Sequence, residues 1–214
     1  MNARIWLTSL VLLLGFTAKS AFAHPYWLLP HEFNLSTEEG KGEWVTFDAS
    51  ASHTFFGFDK GVGLDQAVVY SPNGDRNRVG TYFKGHKRSV FDWYFDQSGT
   101  YKVENSRPVF HFTSYKSGKR DTPKRMMADK VAAQSRLPEG AREVSTMMID
   151  ISAMAFITNN TPTDEVLKPQ AKGLAIEFLT HPSDVVQNEP VELRFLIDGE
   201  PASKIEVEIT PGGT

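Results

Sequence analysis

The sequence predicts an all-β protein: an immunoglobulin-like antiparallel β-sandwich with one short helical insertion, followed by the start of a second β-sandwich module. Two observations predict this class. Short segments rich in aromatic and β-branched residues recur along the chain, and clusters of Gly, Pro, Asn and Ser separate them. The segment Asp96–Val103 also fits the turn into a late strand of such a sandwich, where a tyrosine hydroxyl bonds back to the preceding loop. Tyr101 is therefore predicted to be structural.

Strand-like segments dominate the first part of the chain. They are Trp44–Phe47, Ala67–Tyr70, Val90–Phe95, Tyr101–Val103 and Val109–Phe112, and the pattern returns over Val144–Ile157.

A basic segment, Lys116–Arg125, interrupts this pattern and is predicted to be a solvated loop. After it, Arg125–Leu137 is predicted to be helical, because Met126, Met127 and Val131 give a short apolar stripe at helical spacing.

Four regions follow from these patterns. We predict a signal peptide over 1–23, an N-terminal sandwich domain over 24–160, a polar linker over 161–171 and an incomplete second module over 172–214. The second module is expected to contain three strands and an open edge, so the sequence is interpreted as a fragment. These strands are Leu174–Leu179, Pro190–Leu196 and Ile205–Ile209.

The first 23 residues have the three parts of a secretory signal. Arg4 supplies the positive region, residues 5–16 are apolar, and Ala21-Phe22-Ala23 gives the small-x-small pattern at the cleavage site. Cleavage after Ala23 would place the mature chain in the periplasm or outside the cell. No later segment approaches the roughly 20 apolar residues of a spanning helix, so no membrane span is expected in the mature chain.

Composition excludes several kinds of site. The chain has no cysteine, which excludes a thiol nucleophile, a disulfide framework and an iron–sulfur cluster. Its formal net charge of −3 gives no electrostatic reason to expect nucleic acid as a partner. Any metal ligands must therefore come from carboxylates, carbonyls, amines or the six histidines.

His24 would become the first residue of the mature chain. An N-terminal histidine offers two nitrogen ligands, its ring and its α-amine, and the amine has an ordinary pKa of about 7.7–8.0, so a metal can displace its proton near neutral pH. With one more imidazole, such a site suits Ni(II), Co(II), Cu(II) or Zn(II).

His53 is the best second ligand from the sequence, because the aromatic residues that follow it could form a dry wall around a site. His111 is a possible third ligand, since it alternates with Phe110 and Phe112 and so faces away from them.

The remaining candidates are weaker. His31 and His86 are expected to be ordinary surface residues, and His181 is expected to shape a turn. Asp59 and Asp65 flank glycines in a segment predicted to be a flexible loop, where either could supply a carboxylate. Whether His31, Asp59 or His86 joins the site stays open.

These residues resemble the DUF4198 family. The resemblance rests on the predicted signal peptide followed by His24–Pro30, on the Asp96–Tyr101 turn, and on Leu174–Val207. Many members are described as periplasmic components of nickel or cobalt uptake systems. The resemblance therefore implies a metal-binding protein that works with an envelope transporter, and it implies His24 and His53 as ligands.

Two other functions compete with this interpretation. A copper-dependent oxidase can use a similar N-terminal histidine brace, although it also needs an open coordination position and an exposed substrate surface. A metal-free binding or adhesion module could instead use Trp27, Trp44 and Trp93 for packing or for ligand stacking.

Overall fold

The computed structural model describes residues 24–54, 56–119 and 122–209. The predicted signal peptide and the turn expected at 211–214 lie outside these residues. The prediction of an all-β sandwich is confirmed, because most of the regular structure is β-sheet and only short helical segments occur. The strands are β1 Tyr26–Pro30, β2 Asn34–Leu35, β3 Glu43–Ala51, β4 Lys60–Gly61, β5 Val68–Tyr70, β6 Arg76–Arg78, β7 Phe83–Lys84, β8 Ser89–Phe95, β9 Gly99–Ser106, β10 Phe110–Lys116, β11 Lys124–Met127, β12 Arg142–Ile149, β13 Ser152–Asn159, β14 Leu174–Phe178, β15 Leu193–Ile197 and β16 Glu200–Pro201.

Two five-stranded sheets form the main body. In the first, the strands pair in the order β1-β3-β8-β7, and β4 also pairs with β3; in the second, the order is β2-β13-β9-β5-β6. Their apolar residues share one core, in which Val45 and Phe47 of the first sheet and Val103 and Ile157 of the second are fully buried. The alternation of buried and exposed residues along β3 is what a strand with one core-facing side requires.

A third sheet, in the order β11-β10-β12, is inserted between β9 and β13. The helix predicted over Arg125–Leu137 is wrong in its extent. Lys124–Met127 is a strand paired with β10, and the helix α1 covers only Lys130–Gln134, capped by the Asp129 carboxylate. Strand pairing has overridden the helical spacing of the methionines here, as tertiary contacts often do.

The predicted linker contacts the second sheet. Thr163 accepts a hydrogen bond from the Thr100 N–H at 2.9 Å, and a 3-10 turn at Glu165–Leu167 buries Val166 and Leu167. Beyond it, β14, β15 and β16 form a small antiparallel sheet. The strand expected at Ile205–Ile209 is wrong, since these residues have no strand pairing in the structure. Among the described residues, no helix is long and apolar enough to cross a membrane.

Tyr101 has the structural role that the sequence predicted. Its side chain is 1% exposed, and its hydroxyl accepts a hydrogen bond from the Gln97 N–H at 2.7 Å. Burial is the main cause that raises the pKa of Tyr101 to about 12.

We expect Tyr101→Phe to lower the free energy of unfolding by about 1 kcal/mol, because the Gln97 N–H loses its acceptor. The pKa of Tyr101 is higher in the folded chain than its ordinary value of 10.0, so its contribution is complete below pH 10 and is lost as the pH rises toward 12. Urea denaturation at neutral and at alkaline pH measures both effects. An equal alkaline loss of stability in Tyr101→Phe would contradict this assignment.

Candidate metal centre

The register between β1 and β3 brings His24 opposite His53. The two strands are antiparallel and pair Tyr26 with Ala51. The pairing continues one step beyond the strand ends, because the Ser52 N–H donates to the Pro25 carbonyl at 3.1 Å. One further step in this register places His24 across from His53. Their rings lie 3.8 Å apart between centroids and are tilted by 39°.

Asp59 joins the two histidines through its carboxylate. One of its oxygens accepts hydrogen bonds from the His53 N–H and from the Ser52 hydroxyl, both at 3.0 Å. The same oxygen lies 4.0 Å from Nε2 of His24. The hydrogen bond from the His53 N–H is the main cause that lowers the pKa of Asp59, and the Ser52 hydroxyl adds to it. Asp59 is therefore ionised at neutral pH, and it fixes the loop that carries His53.

An aromatic cluster forms between β1 and the loop that follows His53. The Trp27 indole N–H donates to the Gly57 carbonyl at 2.9 Å, and Phe56 and Phe58 make T-shaped contacts with the Trp27 ring at centroid distances of 5.8 and 5.2 Å. The indole thus holds the loop that follows His53. Phe56 and Phe58 are 37% and 43% exposed, so both rings reach solvent while they pack against Trp27. Neither the contact of Trp27 with this loop nor the role of Ser52 was predicted.

His111 lies on β10 in the third sheet, opposite Met148. It is half-buried, and no hydrogen bond, ion pair or ring contact in the described part of the chain joins it to His24 or His53. The sequence predicts His24, His53 and His111 as ligands, but the contacts in the structure connect only His24 and His53.

The remaining histidines have structural partners or face solvent. The Thr46 N–H donates to Nδ1 of His31 at 2.8 Å. His181 confirms its predicted place in a turn, because its Nδ1 accepts from the Ser183 N–H and caps a 3-10 turn. His86 is exposed.

The donor set around His24 fits a transition metal once the α-amine is free. Within residues 24–54, 56–119 and 122–209, no three histidine or acidic side chains are already grouped as ligands of one ion. The α-amine is not a side chain, and in the uncleaved chain it is bound in a peptide link. Two imidazoles and one amine are nitrogen ligands that Ni(II), Cu(II), Co(II) and Zn(II) accept, and the carboxylate of Asp59 adds a negative charge close to them.

Comparison with models of protein families finds a match that spans most of the chain. A family model described as a domain of unknown function, DUF4198, matches residues 21–214. The chain belongs to the DUF4198 family. The match includes His24, His53 and Asp59, and it also extends over the small sheet of β14, β15 and β16. No curated protein and no solved structure matches the chain.

Removing the carboxylate of Asp59 is expected to weaken metal binding by about 10- to 100-fold, the range for groups that orient a metal ligand. Asp59→Ala deletes the acceptor that holds the His53 backbone and the Ser52 hydroxyl. Asp65→Ala is the matched control, since Asp65 is an exposed carboxylate in the same glycine-containing segment. Calorimetric titration of both variants measures the effect. Equal affinities for the two variants would show that Asp59 does not support the site.

Proposed function

We propose that this is an exported, non-enzymatic protein that binds one divalent transition metal ion at its mature N-terminus and assists uptake or hand-over of that ion. The observation that carries the proposal is the register that sets His24 opposite His53 with their rings 3.8 Å apart. Membership in the DUF4198 family is consistent with it, because the sequence resemblance to that family implied the same two histidines.

Three nitrogens would hold the ion. The ring and α-amine of His24 form a chelate, and the ring of His53 supplies the third nitrogen. A chelate formed within one residue loses little entropy when its second bond forms, since the residue is already held. The metal ion is the cargo in this proposal, and the nitrogen set suits nickel, cobalt, copper or zinc.

The surroundings of the two histidines suit binding and release. His24 and Asp59 have side chains that are 40% and 44% exposed, so an ion can reach them from solvent. Asp59 and Trp27 each hold the His53 loop by a hydrogen bond, through the carboxylate and through the indole N–H. A partly preorganised and open site is what a protein that accepts and delivers an ion to an envelope transporter needs.

Calorimetric titration with Ni, Co, Cu and Zn tests the proposal on protein that begins at His24. We expect one ion per chain, and we expect His53→Ala to lose about 100-fold in affinity or more, because it removes a direct ligand. His111→Ala is the matched control and is expected to bind as the unaltered protein does. Absence of binding, or equal loss in both variants, would contradict the site. Peroxide turnover by the copper-loaded protein would contradict the non-enzymatic assignment and favour the oxidase.

A further inference from the structure

Exposed aromatic and basic side chains meet at the same end of the first sheet as the histidine pair. We define the basic aromatic surface by seven residues on the loop after β3, on β4 and on the β7–β8 hairpin. Its members are Phe56, Phe58, Lys60, Phe83, Lys84, Lys87 and Arg88. All seven are exposed, and Phe83 reaches 69%.

Backbone contacts make this surface continuous. The Gly61 N–H donates to the His86 carbonyl at 2.9 Å, and the Ser50 hydroxyl bonds to the carbonyls of both Lys60 and Lys87. The loop and the hairpin are therefore held side by side. The Arg88 guanidinium lies 5.6 Å from the centre of the Phe58 ring, which links the two segments through a cation–π contact.

The charge of this surface differs from the charge of the whole chain. Arg88 is paired with Asp48, whereas Lys60, Lys84 and Lys87 make no ion pair among the described residues. Asp59, which is ionised and 44% exposed between Phe58 and Lys60, is an acidic group at this end, so the basic residues outnumber the acidic ones there. The chain as a whole carries a formal net charge of −3. A negatively charged surface would therefore attract this end of the molecule and repel much of the rest, which orients the protein.

The backbone conformation of Phe56 is a second observation that points to a binding surface. Its φ of 52° places a bulky aromatic residue in the left-handed region, where such residues are rare. Backbone strain of this kind concentrates at binding sites, and here the strained residue is partly exposed. The fold thus accepts an unfavourable backbone conformation at a residue whose ring reaches solvent.

We propose that the basic aromatic surface docks the protein on the anionic headgroups of a lipid bilayer. Single aromatic rings flanked by lysines on neighbouring loops are the pattern of a membrane-interface contact, in which rings enter the headgroup region and lysines pair with anionic lipids. Docking would hold His24 and His53 near the bilayer. The inference rests on this surface alone, so it can be tested without metal.

Sedimentation with lipid vesicles tests the docking. Metal-free protein beginning at His24 is mixed with vesicles of phosphatidylcholine and phosphatidylglycerol, or of phosphatidylcholine alone. We expect binding only to the anionic vesicles, and we expect it to weaken at high salt. Lys84→Gln combined with Lys87→Gln should lose about 25-fold in affinity, since each cation near the surface contributes about five-fold.

Two further variants distinguish insertion of aromatic rings from nonspecific adsorption to the vesicles. Phe56→Asn removes the ring while keeping a residue that tolerates a positive φ, and it should weaken vesicle binding. The matched control is Lys41→Gln combined with Trp44→Ser, which removes an exposed lysine and an exposed aromatic ring near the opposite end of β3. The control should bind vesicles as the unaltered protein does.

Fluorescence of Trp27 gives an independent readout, because its ring contacts both Phe56 and Phe58. Brominated anionic lipids are expected to quench Trp27, and Trp27→Phe should remove most of the quenching. Equal binding to neutral and anionic vesicles, or no vesicle binding at all, would overturn the proposal. An equal loss of vesicle affinity in the control variant would overturn it as well. Failure to bind any vesicle, with capture of an acidic protein surface instead, would overturn it in favour of a protein partner.

Discussion

One extra alanine ahead of His24 is expected to weaken zinc binding by about 100-fold or more, a loss of about 2.7 kcal/mol in binding free energy. The extension converts the α-amine into a peptide nitrogen, whose lone pair is delocalised into the carbonyl and whose proton Zn(II) does not displace near neutral pH. Zinc is the ion to titrate, because Cu(II) and Ni(II) can displace that proton and would bind the new Ala-His terminus. For zinc, the extension removes one of three nitrogen ligands and the chelate with it. Both imidazoles stay in place, because the β1–β3 register does not depend on residue 23.

The measurement titrates zinc into protein that begins at His24 and into the extended form in the same calorimeter. His53→Ala in the extended form is the useful third sample, since only one imidazole then remains of the proposed ligands. We expect its affinity to be the weakest of the three. If the extended protein binds as tightly as the mature form, the α-amine is not a ligand.

Gly57→Ala is the second substitution with a large expected effect, because Gly57 fits the His53 loop with no room for a side chain. A Cβ at this position would lie 2.2 Å from the Thr54 hydroxyl oxygen and 2.4 Å from that of Ser52. Thr54 is exposed and can rotate, but Ser52 is fully buried and bonds to Asp59. The loop must therefore move, and the Trp27 hydrogen bond to the Gly57 carbonyl moves with it.

We expect Gly57→Ala to lower the free energy of unfolding by about 1–3 kcal/mol, as overpacking does. Metal affinity should fall by about tenfold or more, since the support of His53 is displaced. Gly80→Ala is the matched control, because a Cβ there meets no atom within 4 Å. Thermal melting and metal titration of both variants measure the two effects. Unchanged affinity in Gly57→Ala would mean that the loop does not position His53.

The strands of the core were predictable because they are rich in aromatic and β-branched residues and are separated by turn-forming residues. Phe47 and Phe91 stack at 4.7 Å in that core, and both lie within segments predicted as strands. The stretch after residue 124 was not predictable in the same way. Met126 and Met127 have helical spacing to Val131, but Lys124–Met127 pairs with β10 instead, a partner that local spacing cannot reveal.

The candidate site was predictable as a pair of residues but not as an arrangement. His24 was singled out by the cleavage site and His53 by its aromatic neighbours, yet only the β1–β3 register shows that they face each other. The glycines near Asp59 predict a flexible loop. They do not reveal the two hydrogen bonds that fix its carboxylate in the structure. His111 is predicted as a ligand from strand alternation alone. Alternation indicates which face of its own strand a side chain lies on, but it does not indicate which sheet that strand joins.

Counting the imidazoles bound to one ion tests the central claim most directly. Pulsed electron paramagnetic resonance on protein that begins at His24, loaded with one Cu(II), reports nitrogen couplings from each coordinated imidazole. We predict two imidazoles in the unaltered protein, two in His111→Ala and one in His53→Ala. Two coordinated imidazoles in His53→Ala, or one in the unaltered protein, would contradict a site made by His24 and His53.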